Sequence, residues 1–265
     1  MSTEAAVRTL YLDLMKRALS GVLYNDPPNE ATPTLPGESA PPRGVFVAER
    51  REGGEDWPVN AHTMIGGKRL DNLQACAERV LADGVPGDFA ETGVWRGGAC
   101  ILLRAVLKAY SVTDRLVWAA DSFEGMPVAD ENSGGRDFQM QLHKYNEVLG
   151  VSLKEVRENF RGYGLLDEQV RFLPGWFKDT LPTAPIERLA VLRLDGDLYD
   201  STMDALTHLY PKLSPGGFVI VDDFGLPTCA SAVHDYRAAH GITDEIERVD
   251  RFGAFWRRSG RPAGA

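Results

Sequence analysis

The sequence predicts a doubly wound α/β fold, with a mainly parallel seven-stranded sheet that ends in a C-terminal antiparallel hairpin. Predicted strands and helices alternate from residue 63 onward, which is typical of a parallel sheet covered by helices on both faces. The strand segments are continuously apolar, as in strands that are buried on both sides. Near the end of the chain, residues 245–249 and 254–256 flank a short turn, which indicates the hairpin.

The individual elements follow from short apolar runs and from apolar residues at helical spacing. Ser152 and Glu155 also have the spacing of a capping box at the start of one helix. The predicted strands are 87–93, 115–121, 170–174, 189–195, 218–223, 245–249 and 254–256. The predicted helices between them are 69–82, 97–110, 154–160, 201–210 and 230–239.

The N-terminal region differs from the rest of the chain. Residues 7–24 carry apolar side chains at helical spacing and predict an amphipathic helix. Residues 25–60 are polar, with six prolines between Pro27 and Pro42. A segment this long without regular structure is typical of a lid, a binding loop or a disordered region. The sequence therefore predicts an N-terminal helix and proline-rich lid at 1–60, followed by the main domain at 61–265.

Composition and charge exclude several classes of function. The net charge of −9 disfavours a nucleic-acid partner, because phosphate binding needs a basic surface. No apolar stretch approaches the roughly 18 residues that a membrane span needs, and the start lacks the pattern of a secretory signal. The cysteines Cys76, Cys100 and Cys229 form no CxxC pair. These features predict a cytoplasmic protein without a membrane partner.

A glycine-rich turn, ETGVWRGG at residues 91–98, follows the first predicted strand. Such turns bring backbone close to a ligand, but Trp95 stands where dinucleotide sites have glycine, so a pyrophosphate could not approach. The next strand ends at Asp121, whose carboxylate could accept both hydroxyls of a ribose. Adenosine without a diphosphate, beside a polar amino-acid tail, describes S-adenosylmethionine. Alternatively, the glycines only form a tight turn and Asp121 caps a loop.

Two further strand ends are acidic, because Asp195 and Asp197 follow one apolar strand and Asp222 and Asp223 follow the next. Their carboxylates should converge at one edge of the sheet. A hard divalent cation such as Mg²⁺ would relieve the repulsion between them. The cation would also lower the pKa of a substrate hydroxyl, whose proton one carboxylate could accept. The alternative is a solvated acidic rim.

Longer strings carry a family resemblance. They include TMIG at 63–66, ETGVWRGGACILLR at 91–104, ADSFEGMP at 120–127, LAVLRLDGDLYDSTMDAL at 189–206 and LYPKLSPGGFVIVDDF at 209–224. In these strings the chain resembles the macrocin O-methyltransferase family from Thr63 to Trp256. The resemblance implies a Rossmann-like class I methyltransferase that uses S-adenosylmethionine and Mg²⁺. It also implies a homodimer, and as acceptor a deoxysugar hydroxyl on a glycosylated antibiotic or similar natural product.

The resemblance further implies a role for each candidate residue. Asp195, Asp222 and Asp223 would bind Mg²⁺, and Asp197 would be the catalytic base, with Asp195 as the alternative. The residues expected to bind the cofactor are Thr63, Met64, Glu91, Thr92, Gly93, Val94, Trp95, Asp121, Ser122, Gly175 and Trp176.

Two other functions stay open at this stage. The chain is also similar to catechol-type and caffeoyl-CoA-type O-methyltransferases, which place a lysine three residues after the first metal aspartate. Here that position is Leu198, so a metal-dependent phenolic O-methyltransferase would need a substitute for the lysine. The other alternative is a non-catalytic S-adenosylmethionine-binding protein, which would have no use for a Mg²⁺ site.

Overall fold

A central sheet of mainly parallel strands organises the chain, as its apolar segments predict. The computed structural model describes residues 2–32, 44–128 and 137–260. The strands of these residues are β1 (Asp88–Thr92), β2 (Val117–Asp121), β3 (Val170–Pro174), β4 (Leu189–Leu194), β5 (Leu213–Val221), β6 (Glu247–Arg248) and β7 (Ala254–Arg257). They form one seven-stranded sheet in the order β3-β2-β1-β4-β5-β7-β6. β1 to β5 pair in parallel, and β7 runs antiparallel to β5 and β6.

Helices cover both faces of the sheet. Within the described residues they are α1 (Thr3–Leu19), α2 (Ala48–Glu52), α3 (Gly66–Ala82), α4 (Gly98–Ala109), α5 (Asn146–Leu149), α6 (Leu153–Gly162), α7 (Phe177–Thr180), α8 (Tyr199–Leu209) and α9 (Pro227–Ala239). Apolar residues of α1, α3, α4 and α6 form the core on one face. Those of α8 and α9 form the core on the other. The predicted doubly wound fold is therefore confirmed.

The predicted strands are confirmed in position, with differences towards the C-terminus. β5 begins at Leu213 rather than at 218, although the glycines at its start suggest a turn. A Cβ on Gly217 would lie 2.7 Å from the Ala190 carbonyl oxygen, so glycine lets β5 pass close to β4 where their register shifts. The first hairpin strand is shorter than predicted and covers only Glu247–Arg248.

The sequence also missed three helices. α2 lies inside the segment expected to be irregular, and α5 and α7 lie where no helix was predicted. Each has only four or five residues, which is too short to show a helical period. Residues 33–43 of the predicted lid lie outside the described residues. None of the helices in the described ranges is long and apolar enough to cross a bilayer.

α1 carries apolar residues on two faces rather than one. Leu12, Met15 and Leu19 are buried in the core, where α1 packs against α4. Three other apolar side chains of the helix, Val7, Leu10 and Leu14, are exposed. The helix ends at Leu19 instead of 24, because Gly21 adopts a left-handed conformation before a short 3₁₀ turn.

A buried arginine fastens the segment after α1 to the domain. Arg51 of α2 is fully buried and makes two hydrogen bonds to Asp56, at 2.6 and 3.1 Å. It also donates to the backbone carbonyls of Ser20 and Asp26, both at 2.8 Å. The Asp26 carboxylate in turn accepts the backbone N–H of Ala61. The described part of residues 1–60 thus packs on the domain, while a lid function for it stays a prediction.

We predict that the buried face of α1 contributes to global stability. Leu12→Ala should lower the free energy of unfolding by about 2–5 kcal/mol, because it leaves a cavity in the core. Thr9→Ala, at an exposed position of the same helix, should change it by less than about 0.5 kcal/mol. Urea denaturation of both variants measures the difference. Equal effects would show that α1 is not part of the core.

Candidate active site

Two cavities lie at the carboxyl ends of β1, β2, β4 and β5. Their volumes are about 330 and 480 Å³, within the range of small-molecule sites. The smaller cavity extends over the acidic strand ends, and the larger one extends towards Trp176. The residues that line both cavities are Gly93, Asp121, Gly125, Met126 and Asp195.

The turn between β1 and α4 depends on glycine for a close backbone contact. Gly93 has a φ of +87°, and a Cβ there would lie 1.6 Å from the carbonyl oxygen of Asp195. No other residue fits this position without moving the acidic strand end. Trp95 also has a positive φ, and its indole N–H donates to the Val148 carbonyl at 2.9 Å. The turn that should bind cofactor therefore touches the acidic site directly.

Asp121, at the end of β2, faces both cavities and accepts hydrogen bonds from the backbone of the two adjacent turns. Its carboxylate accepts the backbone N–H of Val94 at 2.6 Å and that of Phe123 at 2.7 Å. Burial raises the pKa of Asp121, and these donors oppose the rise. The loop-capping role that the sequence left open is thus present. The Trp95 N–H and the Ser122 hydroxyl also donate to the Asp121 carboxylate, both at 3.4 Å. Because a carboxylate offers about four acceptor positions, a ligand hydroxyl would replace one of these two long hydrogen bonds.

Three of the four predicted carboxylates converge. Asp195, Asp197 and Asp223 each contribute an oxygen to a group whose members all lie within 4.8 Å of one another. The backbone N–H of Asp197 also donates to Asp223 at 3.0 Å. Burial, together with the charges of Asp195 and Asp222, raises the pKa of Asp197 to about 7. Burial and the charges of Asp197, Asp195 and Asp222 raise the pKa of Asp223 well above its usual range.

Asp222 instead lies between two buried arginines. One of its oxygens accepts from Arg193 and the other from Arg69. Arg193 also donates to Asp195 at 2.8 Å, so it links Asp222 to the acidic group. Asp197 therefore occupies the place in the group that the sequence assigned to Asp222. Metal binding by Asp195, Asp222 and Asp223 stays a prediction.

Glu91 is the third carboxylate that Arg193 contacts. The two residues lie opposite each other on β1 and β4, and the guanidinium donates to Glu91 Oε1. Burial raises the pKa of Glu91 to about 7, although the charge of Arg193 opposes this. The second oxygen, Oε2, is buried without a hydrogen-bond donor among the described residues. The Cys100 thiol also forms a side-chain hydrogen bond with this carboxyl, and Glu91 lines the smaller cavity.

Most of the residues predicted to bind cofactor line one of the cavities. Thr92 and Gly175 line neither, because Thr92 is buried within the sheet and Gly175 only forms the turn before Trp176. Ser122 and Trp176 line the larger cavity. Those that line the smaller one are Thr63, Met64, Glu91, Gly93, Val94, Trp95 and Asp121. Their contacts with cofactor stay predictions.

Sequence reasoning missed the two arginines. Arg193 interrupts an otherwise apolar strand, and a charge in a buried strand signals a charged partner nearby. Matching it with Glu91 on the adjacent strand could have identified the pair. Arg69 gave no such signal, because polar residues are ordinary near the start of a helix.

Comparison with known proteins identifies the family of the chain. The chain matches the model of the macrocin O-methyltransferase (TylF) family over residues 8–258. The chain belongs to the macrocin O-methyltransferase family. The family expected from the sequence strings is therefore confirmed.

Curated relatives agree over nearly the whole chain. The chain is 61% identical to the mycinamicin III 3''-O-methyltransferase of Micromonospora griseorubida, over 98% of this chain and 100% of that protein. It is 59% identical to a Streptomyces olivaceus 8-demethyl-8-(2,3-dimethoxy-α-L-rhamnosyl)-tetracenomycin-C 4'-O-methyltransferase, over 98% and 97% of the two chains. It is 57% identical to the Streptomyces niveus demethyldecarbamoylnovobiocin O-methyltransferase, over 95% and 94%.

A solved relative has the same fold throughout. The structure of the O-methyltransferase NovP superposes with a TM-score of 0.89 at 56% identity, covering 95% of this chain and 99% of that one. This member of the macrocin O-methyltransferase family is therefore an O-methyltransferase, as the sequence predicted. The non-catalytic alternative has no support among these relatives.

The acidic group should make stability depend on pH. Asp197 has a pKa of 3.8 as a free side chain and about 7 in the folded protein. Between these values the folded state holds a proton that the unfolded state has released, so stability falls as the pH rises. We predict a shallower fall in Asp197→Asn than in wild type between about pH 4 and 7. Denaturation in the presence of a chelator measures both, and parallel curves would contradict the prediction.

Proposed function

We propose that the chain transfers the methyl group of S-adenosylmethionine, with the help of Mg²⁺, to a deoxysugar hydroxyl on a glycosylated antibiotic or similar natural product. The observation that carries this proposal is the group formed by Asp195, Asp197 and Asp223 at the wall of the smaller cavity. The glycine-rich turn at residues 91–98, here called the cofactor turn, lines the same cavity. Two relatives support the acceptor class. One is named for the 3'' position of mycinamicin III, and the other for the 4' position of a rhamnosyl-tetracenomycin.

The two cavities fit S-adenosylmethionine in size and in chemistry. Asp121 lies where the cavities meet and is placed to accept ribose hydroxyls. The unpartnered Oε2 of Glu91 suits the ammonium group of the methionine end. Trp176 offers a flat apolar surface to the adenine in the larger cavity. The methyl group would then lie between these ends, near Asp195, which lines both cavities.

The acidic group fits a hard divalent cation. Carboxylate oxygens are the ligands that Mg²⁺ prefers, and three of them lie within 4.8 Å of one another. Burial, and then the charges of neighbouring aspartates, raise the pKa values of Asp197 and Asp223, so the group is costly to keep fully ionised. A cation would offset that cost. We propose Asp195 and Asp223 as ligands, because the sequence prediction and the observed group share them.

Asp222 is the third ligand that the family resemblance implies. In this structure both of its oxygens are held by arginines, so it would have to share or exchange one of these partners to reach a cation. Asp197 then remains free to act as the base.

The chain's own residues account for the steps of methyl transfer. A bound cation would make the acceptor hydroxyl more acidic and hold its oxygen in place. Asp197, as the ionised carboxylate, accepts the hydroxyl proton, with Asp195 as the alternative acceptor. The contact between Gly93 and Asp195 keeps the cofactor turn at a constant distance from the acidic group. That distance lets the methyl group and the oxygen meet in line.

The residue at position 198 favours a sugar acceptor over a phenol. The position that carries lysine in the catechol-type enzymes is Leu198, which is buried at the wall of the larger cavity. The chain therefore lacks the side chain that a catechol-type assignment would predict there. Methylation assays with a monoglycosylated macrolide and with catechol compare the two classes, and turnover of catechol alone would favour the phenolic alternative.

We also propose that the protein is a cytoplasmic homodimer. Its three cysteines are free and buried, which suits a reducing compartment. The exposed side chains Val7, Leu10 and Leu14 recur at intervals of three and four along α1, which is the spacing of a helix-pairing seam. In an antiparallel pair of α1 helices, Val7 would face the partner's Leu14 and the acidic first turn would face the basic last turn.

Light scattering tests this surface. Leu10→Asp should convert a wild-type dimer to a monomer, because it places a charge in the centre of the seam. Val45→Asp, at an exposed apolar residue outside α1, should leave the dimer intact. A monomeric wild-type protein, or a dimer that survives the Leu10 change, would contradict the proposal.

The metal chemistry is tested by removing one carboxylate at a time. We expect Asp195→Asn and Asp223→Asn to weaken Mn²⁺ binding at least tenfold and to lower kcat by roughly 10²-fold or more, because each removes a ligand and a charge. Asp197→Asn should lower kcat strongly while the protein still binds Mn²⁺. Titration calorimetry and a methylation assay measure the two effects separately.

Asp71→Asn provides a matched control, because Asp71 lies on the surface of α3 and pairs with Lys16. It should leave both metal binding and turnover unchanged. Asp222→Asn tests whether Asp222 binds the cation or only pairs with the arginines. Loss of Mn²⁺ binding would identify it as a ligand. Full activity in both the Asp195 and Asp223 variants would refute the proposed metal site.

A further inference from the structure

Arg69, near the start of α3, contacts three separate parts of the cavity wall. Its side chain is buried, with 7% of its surface exposed. Nη1 donates to Asp222 at the end of β5, and Nη2 donates to the Gly54 carbonyl at 3.3 Å. Nε lies 3.2 Å from the carboxylate of Asp250 in the turn between β6 and β7. One guanidinium thus joins the N-terminal segment, the central sheet and the C-terminal hairpin.

The packing around this guanidinium leaves little freedom. A Cβ on Gly54 would lie 2.1 Å from Nη2, and a Cβ on Gly253 would lie 2.9 Å from the Cδ of Arg69. The Phe252 ring lies 5.4 Å from the guanidinium carbon. Both glycines therefore allow their turns to close onto the arginine. A displacement of Arg69 would therefore move the backbone of both turns.

The segment that Arg69 holds is part of the cavity. Within residues 52–57, here called the wall segment, Gly54, Glu55 and Trp57 line the smaller cavity. Its backbone hydrogen bonds join the N–H groups of Gly53, Gly54 and Glu55 to carbonyls of α2, and Trp57 to Asn29 and Thr32. The Asp56 carboxylate also accepts from Arg51. All of these partners lie in the N-terminal region, so the position of the segment over the acidic group depends on contacts such as the one from Arg69.

We propose that Arg69 is a positioning residue that controls two properties of the site: how strongly the acidic group attracts a divalent cation, and how firmly the wall segment is closed over it. The first property rests on the proposed metal function, and the second does not. Arg69 neutralises Asp222 by direct contact, so its charge opposes that of an arriving cation. Its contact with Gly54 ties the wall segment to the same carboxylate.

Two substitutions separate these properties. Arg69→Gln removes the charge, and we expect it to bind Mn²⁺ about tenfold more tightly, since a repelling charge beside the site is lost. Arg69→Lys keeps the charge but cannot reach three partners with one planar group, so Mn²⁺ affinity should stay near that of wild type. In both variants, amide hydrogen exchange in the wall segment should become about tenfold faster. General loss of structure would weaken metal binding rather than strengthen it.

Arg79→Gln is the matched control, because Arg79 lies on the same helix, is mostly exposed and pairs only locally with Asp83. It should change neither Mn²⁺ affinity nor exchange. Calorimetric titration with Mn²⁺ and exchange mass spectrometry on the full chain give the two readouts.

Each outcome decides one half of the proposal. Unchanged or weaker Mn²⁺ binding in a folded Arg69→Gln protein would overturn the electrostatic half. Unchanged exchange of the wall segment would overturn the positioning half. If the wild-type protein binds no Mn²⁺ at all, the proposed metal chemistry and the electrostatic half both fall, while exchange still decides whether Arg69 holds the wall segment.

Discussion

The ion pairs of Arg193 are the interaction on which the rest of the site depends. A guanidinium in the middle of a buried strand costs too much free energy to persist unpaired. Arg193 is 1% exposed, and it forms ion pairs with three carboxylates. Glu91 lies in β1, and Asp195 and Asp222 come directly after β4 and β5. Each carboxylate in turn is buried or half-buried and needs a positive partner. The sheet can therefore close only with the carboxyl ends of β1, β4 and β5 in this register.

The charges around Arg193 do not balance within the site. Two buried arginines pair with Glu91, Asp195, Asp222 and Asp250, and Asp197 and Asp223 lie beside Asp195, so six carboxylates share two positive charges. The arginines hold Asp222 most completely, and the excess negative charge is concentrated on the group that contains Asp197. Burial together with this uneven distribution explains why the aspartates with raised pKa values are also the ones that lie within 4.8 Å of one another. Asp222 is thus bound by arginines, while the carboxylates proposed to take part in the chemistry are Asp195, Asp197 and Asp223.

Much of this arrangement could be predicted from the sequence, because fold topology alone brings strand ends together. The alternation of strands and helices was enough to place Asp195, Asp197, Asp222 and Asp223 at one edge. Which of them form a group could not be predicted, since that depends on side-chain partners from distant parts of the chain. Asp222 turns towards Arg69, which is 153 residues away in sequence. Likewise, the spacing of α1 revealed a helix but not which of its apolar faces is buried.

The contact between Gly93 and the backbone of Asp195 has a consequence for how such enzymes diversify. It joins the glycine-rich turn of residues 91–98 to the acidic strand end through main-chain atoms, and side-chain replacement elsewhere cannot change this contact. In the proposed reaction, the geometry of these two parts is therefore inherited as a unit, and new acceptors would be accommodated by exchange of the surrounding loops. A designer who wishes to retarget the enzyme would graft loops around this junction and leave its glycine and the residues beneath it untouched.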